Sequence, residues 1–142
     1  MVTRKYEQRL RAEAAEETRR RILDAVYERL REAPSQPISV EQIARAVRVA
    51  RSTVYLVFGS RAGLFDAVAQ DLLERGGFER VIAAVAHPDA LQTLRSGISA
   101  SCEVFAVDRD VHRVLFSMAM VDPEGIAGAI QRSGARRAEG MA

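Results

Sequence analysis

The stretch from residue 38 to 65, ISVEQIARAVRVARSTVYLVFGSRAGLF, constrains this chain most, because it holds a helix start, a tight turn and two further helix starts in close succession. Ser39 can cap the first of these helices, Gln42 three residues on can answer the cap's own N–H, and Ile38 can staple onto Ile43. Val40, Ile43 and Ala44 stand at i, i+3 and i+4 and form one apolar stripe. Val47 ends it, and Val49, Val54 and Phe58 resume an inward face after the turn. Helices of about eight residues are marginal alone, so both must lean on neighbours. The outward positions of the second helix are Arg51, Ser52, Thr53 and Tyr55. Arginine can fork onto guanine O6 and N7, serine and threonine reach base edges or phosphate oxygens, and a tyrosine hydroxyl donates to phosphate. The same four residues also suit an ordinary solvated helix face; the spacing as a whole, two short helices across a tight turn, favours a groove reader.

The flanks supply the missing neighbours. Residues 3 to 33 read as one long helix, supported by the i, i+4 pairs Glu7 with Arg11, Glu16 with Arg20 and Glu17 with Arg21. Its first half has almost no apolar stripe, whereas Ile22, Val26 and Leu30, with Leu23 and Tyr27 beside them, form a broad inward face. The expectation is an exposed extension over 1–17 and a structural helix from 18. Arg4, Lys5 and Arg9 could reach along DNA as basic arms do, or simply stay solvated. Two prolines, Pro34 and Pro37, mark the loop that ends this helix. Ser60 is placed to cap a fourth helix running to about Arg75, with Leu64, Phe65, Val68 and Leu72 inward, and Gly76 and Gly77 end it.

The runs TRRRILDAVYERL (18–30), ISVEQIARAVRVARSTVYLVF (38–58) and SRAGLFDAV (60–68) together resemble the N-terminal domain of the tetracycline-repressor (TetR) family of bacterial transcription regulators. The shared features are Thr18 and Arg19 at the start of the first helix, Ile43 and Ala44 in the second, Tyr55 and Phe58 in the third, and Ser60 and Arg61 opening the fourth. The resemblance implies that Ser39, Thr53, Tyr55 and Arg61 hold phosphates while Arg51 and Ser52 read bases. Two departures stand out. The turn that usually carries glycine has Arg48, preceded by the branched Val47, which implies either a strained turn at about 1–2 kcal/mol or a different turn shape. Arg48 is also a candidate phosphate contact. Ala50 stands where a capping serine is common, removing a cap worth about 1 kcal/mol.

Charge follows the same division. Residues 1–61 hold 13 Lys/Arg against 8 Asp/Glu, and residues 62–142 hold 8 against 11, so the basic half is the half with the reader. With 48% hydrophobic and 28% charged residues in 142, the chain can build a real core. No stretch approaches the roughly 18 consecutive apolar residues of a spanning helix, and the charged N-terminus is unlike a signal peptide; the expectation is a cytoplasmic protein with no membrane partner. Catalysis finds little support. Cys102 is the single cysteine and sits on an apolar stripe, and the two histidines are His87, beside a proline, and His112, which shares an i, i+4 relation with Asp108 but completes no metal site. No Gly-rich phosphate loop or nucleophile elbow occurs. No enzyme activity, catalytic residue, metal or cofactor is expected.

Beyond the reader, residues 78–86 form a short apolar helix stopped by His87 and Pro88, and 89–107 form an amphipathic helix with a stripe at Leu91, Leu94, Ile98, Cys102 and Phe105. A helix from Asp108 to about Val121 carries Val111, Val114, Leu115 and Met118 on one face and Phe116 and Met120 on another; Asp122 with Pro123 then begins a last helix. The expected fold class is all-α: a three-helix helix-turn-helix DNA-binding domain over 18–65, then a partial helical ligand-binding and dimerisation bundle over 66–142. By resemblance, that bundle encloses an apolar small-molecule effector, with Ile98, Cys102, Phe105, Leu115, Phe116 and Met118 as candidate lining; for any one of them taken singly, a plain core position is the favoured reading. The resemblance also implies two further long helices that form a homodimer interface, for which the sequence to residue 142 has no counterpart, so the regulatory domain is expected to be incomplete. The leading reading is a sequence-specific regulator, a repressor released from a palindromic operator on double-stranded DNA by a ligand. The alternative is a short helical partner that binds no DNA and pairs with a full-length regulator.

Overall fold

A 31-residue helix, α1 (Val2–Glu32), is the spine against which the rest is assembled. In the computed structural model, which describes residues 2–122 and 128, it is followed by α2 (Val40–Ala46), α3 (Arg51–Phe58), α4 (Arg61–Arg75), α5 (Phe78–Val85), α6 (Ala90–Val107) and α7 (Arg109–Val121). The described residues are helical or connecting, with no strand. The first half of α1 is exposed, with Arg9 paired to Glu13 at 3.2 Å. From Ile22 onward the apolar stripe is buried through Ile22, Leu23, Val26 and Leu30. Arg20 and Arg21 leave the local pairs expected for them. Arg20 reaches Asp71 of α4 at 3.0 Å as well as Asp24 at 3.6 Å, and Arg21 donates to the Val47 carbonyl at 2.5 Å. Arg75 closes the α1–α4 joint by bridging Asp71 at 2.6 Å and Asp24. Asp71 is only 5% exposed, and its two carboxylate oxygens are met by these two guanidinium partners.

One buried cluster contains the apolar faces of α1, α2, α3 and α4 and also Val111, Val114, Leu115 and Ala119 of α7. The last helix therefore packs into the same core as the reader. A second, smaller cluster, Leu73, Val81 and Val104 with Phe78 and Ala100 against it, joins α4, α5 and α6.

The stripe expected to face inward on α6 does not. Leu91, Leu94 and Cys102 are exposed and Ile98 is 57% exposed, while Gly97, Ala100 and Val104 make the packed side. The reason is steric: a Cβ on Gly97 would lie 3.0 Å from Val85 Cγ1, so α5 approaches closest along the small-residue side of α6. On α7 the expected division holds, with Val111, Val114 and Leu115 buried and Phe116 and Met120 exposed. Asp89 caps α6 by accepting from the Gln92 N–H at 2.9 Å. Asp108 makes no such cap for α7, because Tyr27 donates its hydroxyl to the Asp108 carboxylate at 2.5 Å. That bond, and then burial, raise the Tyr27 phenol above its ordinary value of 10.0. The helix expected from Asp122 and Pro123 lies outside the described residues.

Candidate nucleic-acid interface

The helix-turn-helix begins with the reciprocal cap expected from its sequence. Ser39 Oγ accepts from the N–H groups of Glu41 and Gln42 at 3.2 and 3.4 Å, and the Gln42 side chain accepts from the Ser39 N–H at 3.3 Å. Ser39 is exposed, and its O–H remains able to donate outward. Ile38 and Ile43 are both buried in the main core, as a staple requires.

The turn takes the strained form. Arg48 has φ 56, the one positive φ at a non-glycine position among the described residues. Holding a residue with a Cβ there costs on the order of 1–2 kcal/mol. Two features hold the turn in place. Val49 N–H bonds to the Ala44 carbonyl at 2.9 Å, and Arg21 of α1 clamps the Val47 carbonyl from outside. The Arg48 side chain is exposed, free of the constraint on its backbone. Ala50 precedes α3 with no side-chain cap, as its chemistry dictates.

On α3, Val54 is buried and Phe58 packs against the core, as does Val49 in the turn before it, and Arg51, Ser52 and Leu56 are exposed. Thr53 and Tyr55 are half-buried at the flanks. Arg51 lies 5.4 Å over the Tyr55 ring and donates to its hydroxyl at 3.2 Å. The pair presents an exposed guanidinium beside the Tyr55 ring. Leu56 is 86% exposed and was not among the residues singled out in the sequence. Its signal was available: about 100° per residue sets position 56 opposite the Val54 and Phe58 side.

The joint between α3 and α4 is tight. Gly59 ends α3 with φ 75, and Ser60 caps α4 by accepting from the Gly63 N–H at 2.9 Å. A Cβ on Gly63 would stand 2.1 Å from the Phe58 carbonyl oxygen, so only glycine lets α4 start this close to the end of α3. Arg19 of α1 stacks 5.2 Å over the Phe58 ring and braces the same corner. Arg61, expected on phosphate, is half-buried, lies 5.0 Å over the Phe65 ring and pairs with Asp122 at the end of α7.

The six candidate pocket residues are not gathered around one enclosed space among the described residues. Leu115 is in the main core, Met118 packs against that core, and Phe105 stands edge-on to the His112 ring at 5.0 Å. Ile98, Cys102 and Phe116 are exposed, because α6 presents its small-residue side to α5 and α7 turns Phe116 away from the core. A cleft of about 420 Å³ occurs elsewhere, lined by Tyr27, Arg31, Asp108, Arg109 and Asp110 among others, and it is polar. His112 Nδ1 donates to the Asp108 backbone carbonyl at 3.0 Å, the tautomer that bond requires. No group of three metal-ligating side chains occurs among the described residues, and no described helix is long and apolar enough to cross a membrane.

Residues 22–68 match the family model described as bacterial regulatory proteins, tetR family. No curated protein and no solved structure matches the chain.

Proposed function

We propose, from the premise that residues 22–68 are a TetR-family helix-turn-helix DNA-binding domain, that this protein is a transcription repressor that binds a near-palindromic operator as a homodimer in the cytoplasm. The observation that carries the reading is the outward face of α3, where the Arg51–Tyr55 pair, Ser52 and Leu56 stand clear of the core on a helix held by a capped α2 and a glycine joint. Two such helices on a dimer would occupy successive major grooves about 34–36 Å apart.

Arg51, held over Tyr55, forks onto a base edge, with Ser52 beside it. Ser39, Arg48, Thr53, Tyr55 and Arg61 flank that contact and hold phosphates, which set register and orientation and carry no sequence information. The basic half of the chain supplies the attraction to the polyanion. A ligand or partner acting on the second module reaches the reader through α7, whose core residues are shared with α1 and α4 and whose end holds Arg61 through Asp122. Catalysis has no part in this reading.

The test is a pair of substitutions read on a selected duplex. Arg51→Ala should cost about 1–3 kcal/mol on the preferred site and relax the preference at one base position. Arg61→Ala should weaken all sequences alike and lower the salt slope by roughly one unit. Sequence-selective loss at Arg61, or uniform loss at Arg51, would reverse the roles.

A further inference from the structure

We infer that Leu56 is a base-reading residue that selects a thymine by its C5 methyl group, an inference that rests on the DNA-binding reading above. The helix geometry singles it out. With about 100° between successive residues, Leu56 lies roughly 160° from Phe58 and 160° from Val54, so it stands on the ridge of α3 opposite the buried side. Val54 is 1% exposed and Phe58 packs against the core, whereas Leu56 is 86% exposed.

Its neighbours sharpen the reading. Arg51 lies roughly 140° around the helix from Leu56, on the side of Tyr55, to whose hydroxyl it donates. Ser52, one turn before Leu56, and Thr53 beside it are small. When α3 enters a major groove with its solvent side forward, the isobutyl group of Leu56 leads. Phosphate, guanine O6 and N7, cytosine N4 and adenine N6 and N7 all need a polar partner; the thymine methyl is the one apolar feature that the groove displays. A leucine over any other base would desolvate a donor or acceptor without replacing its hydrogen bond.

An interface with protein fits less well. Within 22–68 Leu56 is the one large apolar side chain left exposed, ringed by Ser52, Thr53 and the Arg51–Tyr55 pair. A protein-docking surface is a contiguous apolar patch, and this is a single side chain in a polar ring.

The experiment starts with the full chain and a pool of random duplexes, from which the preferred site is recovered. Each thymine of that site is then replaced singly by deoxyuridine, which removes only the methyl group. Wild-type protein should bind one substituted position in each half-site about fourfold more weakly, the worth of one buried methyl, and cytosine at that position should be rescued in part by 5-methylcytosine. Leu56→Ala should bind the thymine and uracil sites equally, with an unchanged melting temperature, since the residue touches solvent. Leu56→Gln, which can pair with adenine N6 and N7, should shift the selected base at that position from thymine to adenine. Uracil tolerated at every position by wild type, or thymine preference kept in Leu56→Ala, would overturn the assignment of Leu56 and leave the DNA-binding reading standing. Failure of wild type to enrich any site would overturn both.

Discussion

The reader, α1 to α4, and the layer made by α5 and α6 are built from similar apolar residues, yet they dispose of them in opposite ways. In the reader, Ile22, Val26, Ile43, Val54, Leu64 and Phe65 are all 2% exposed or less. On α6, Leu91, Leu94 and Ile98 face outward while Gly97, Ala100 and Val104 pack. The difference lies in what accompanies the periodicity. In the reader several contacts between helices fix the phase of each stripe: Arg20 on Asp71, Arg75 on Asp24, the Arg21 clamp on the Val47 carbonyl, and the close start of α4 at Gly63 beside Phe58. On α6 the close approach of Val85 to Gly97 does so. An amphipathic stripe without such ties states that a helix has two sides but not which side a neighbour takes.

The largest effects that would sharpen this contrast come from core deletions. Phe65→Ala, at a fully buried position, should cost about 3–5 kcal/mol in chemical denaturation, whereas Ile98→Ala should stay within roughly 0.5 kcal/mol. A cost at Ile98 approaching that at Phe65 would show that its face is covered in solution and would erase the distinction. Next comes Gly63→Ala, expected to cost about 1–3 kcal/mol because the joint must open around the new Cβ. Its second readout is DNA affinity, which should fall further than stability alone accounts for, since α3 must swing as the joint opens.

Arg48→Gly separates backbone from side chain in the turn. Relief of the positive φ, less the entropy that glycine loses on folding, should leave a gain of at most about 1 kcal/mol in stability. DNA binding should weaken at the same time, with a salt slope lower by roughly one. Asp122→Asn tests the link between regions. Released from its partner, Arg61 should hold phosphate more readily, and affinity for DNA should rise a few-fold at low salt with under about 1 kcal/mol change in stability. Unchanged affinity would make the pair a brace only. The smallest effect is alkaline. Since the Tyr27 pKa is raised in the folded protein, its contribution is present below pH 10.0 and lost as pH rises through the higher folded value. Tyr27→Phe should flatten that alkaline decline in a pH series of melting curves.

What could be read from the sequence alone follows the same boundary. Ser39, Gln42 and Ser60 act within three residues of themselves, so their caps are legible in the sequence, as is the strain imposed by Arg48. Contacts across the fold were not. Arg20 and Arg21 each had a nearby glutamate, yet turn to Asp71 and to the Val47 carbonyl, 51 and 26 residues away. Arg61 was recognisable as a helix-opening cation, but its tie to Asp122 depends on where α7 ends. The candidate effector lining rests on the resemblance and on apolar spacing, and spacing cannot tell a cavity wall from an open face: Ile98, Cys102 and Phe116 are exposed. Leu56 is apolar, yet its helix position opposite Val54 and Phe58 places it outside the core.

The central claim is that α3 is presented for reading DNA, and selection from a random duplex library at low salt tests it most directly. The account predicts enrichment of a two-fold-related sequence whose half-sites are about one helical turn apart, with binding that weakens steeply as salt rises. Recovery of no reproducible sequence by a folded protein, or equal binding to selected and scrambled duplexes, would contradict it.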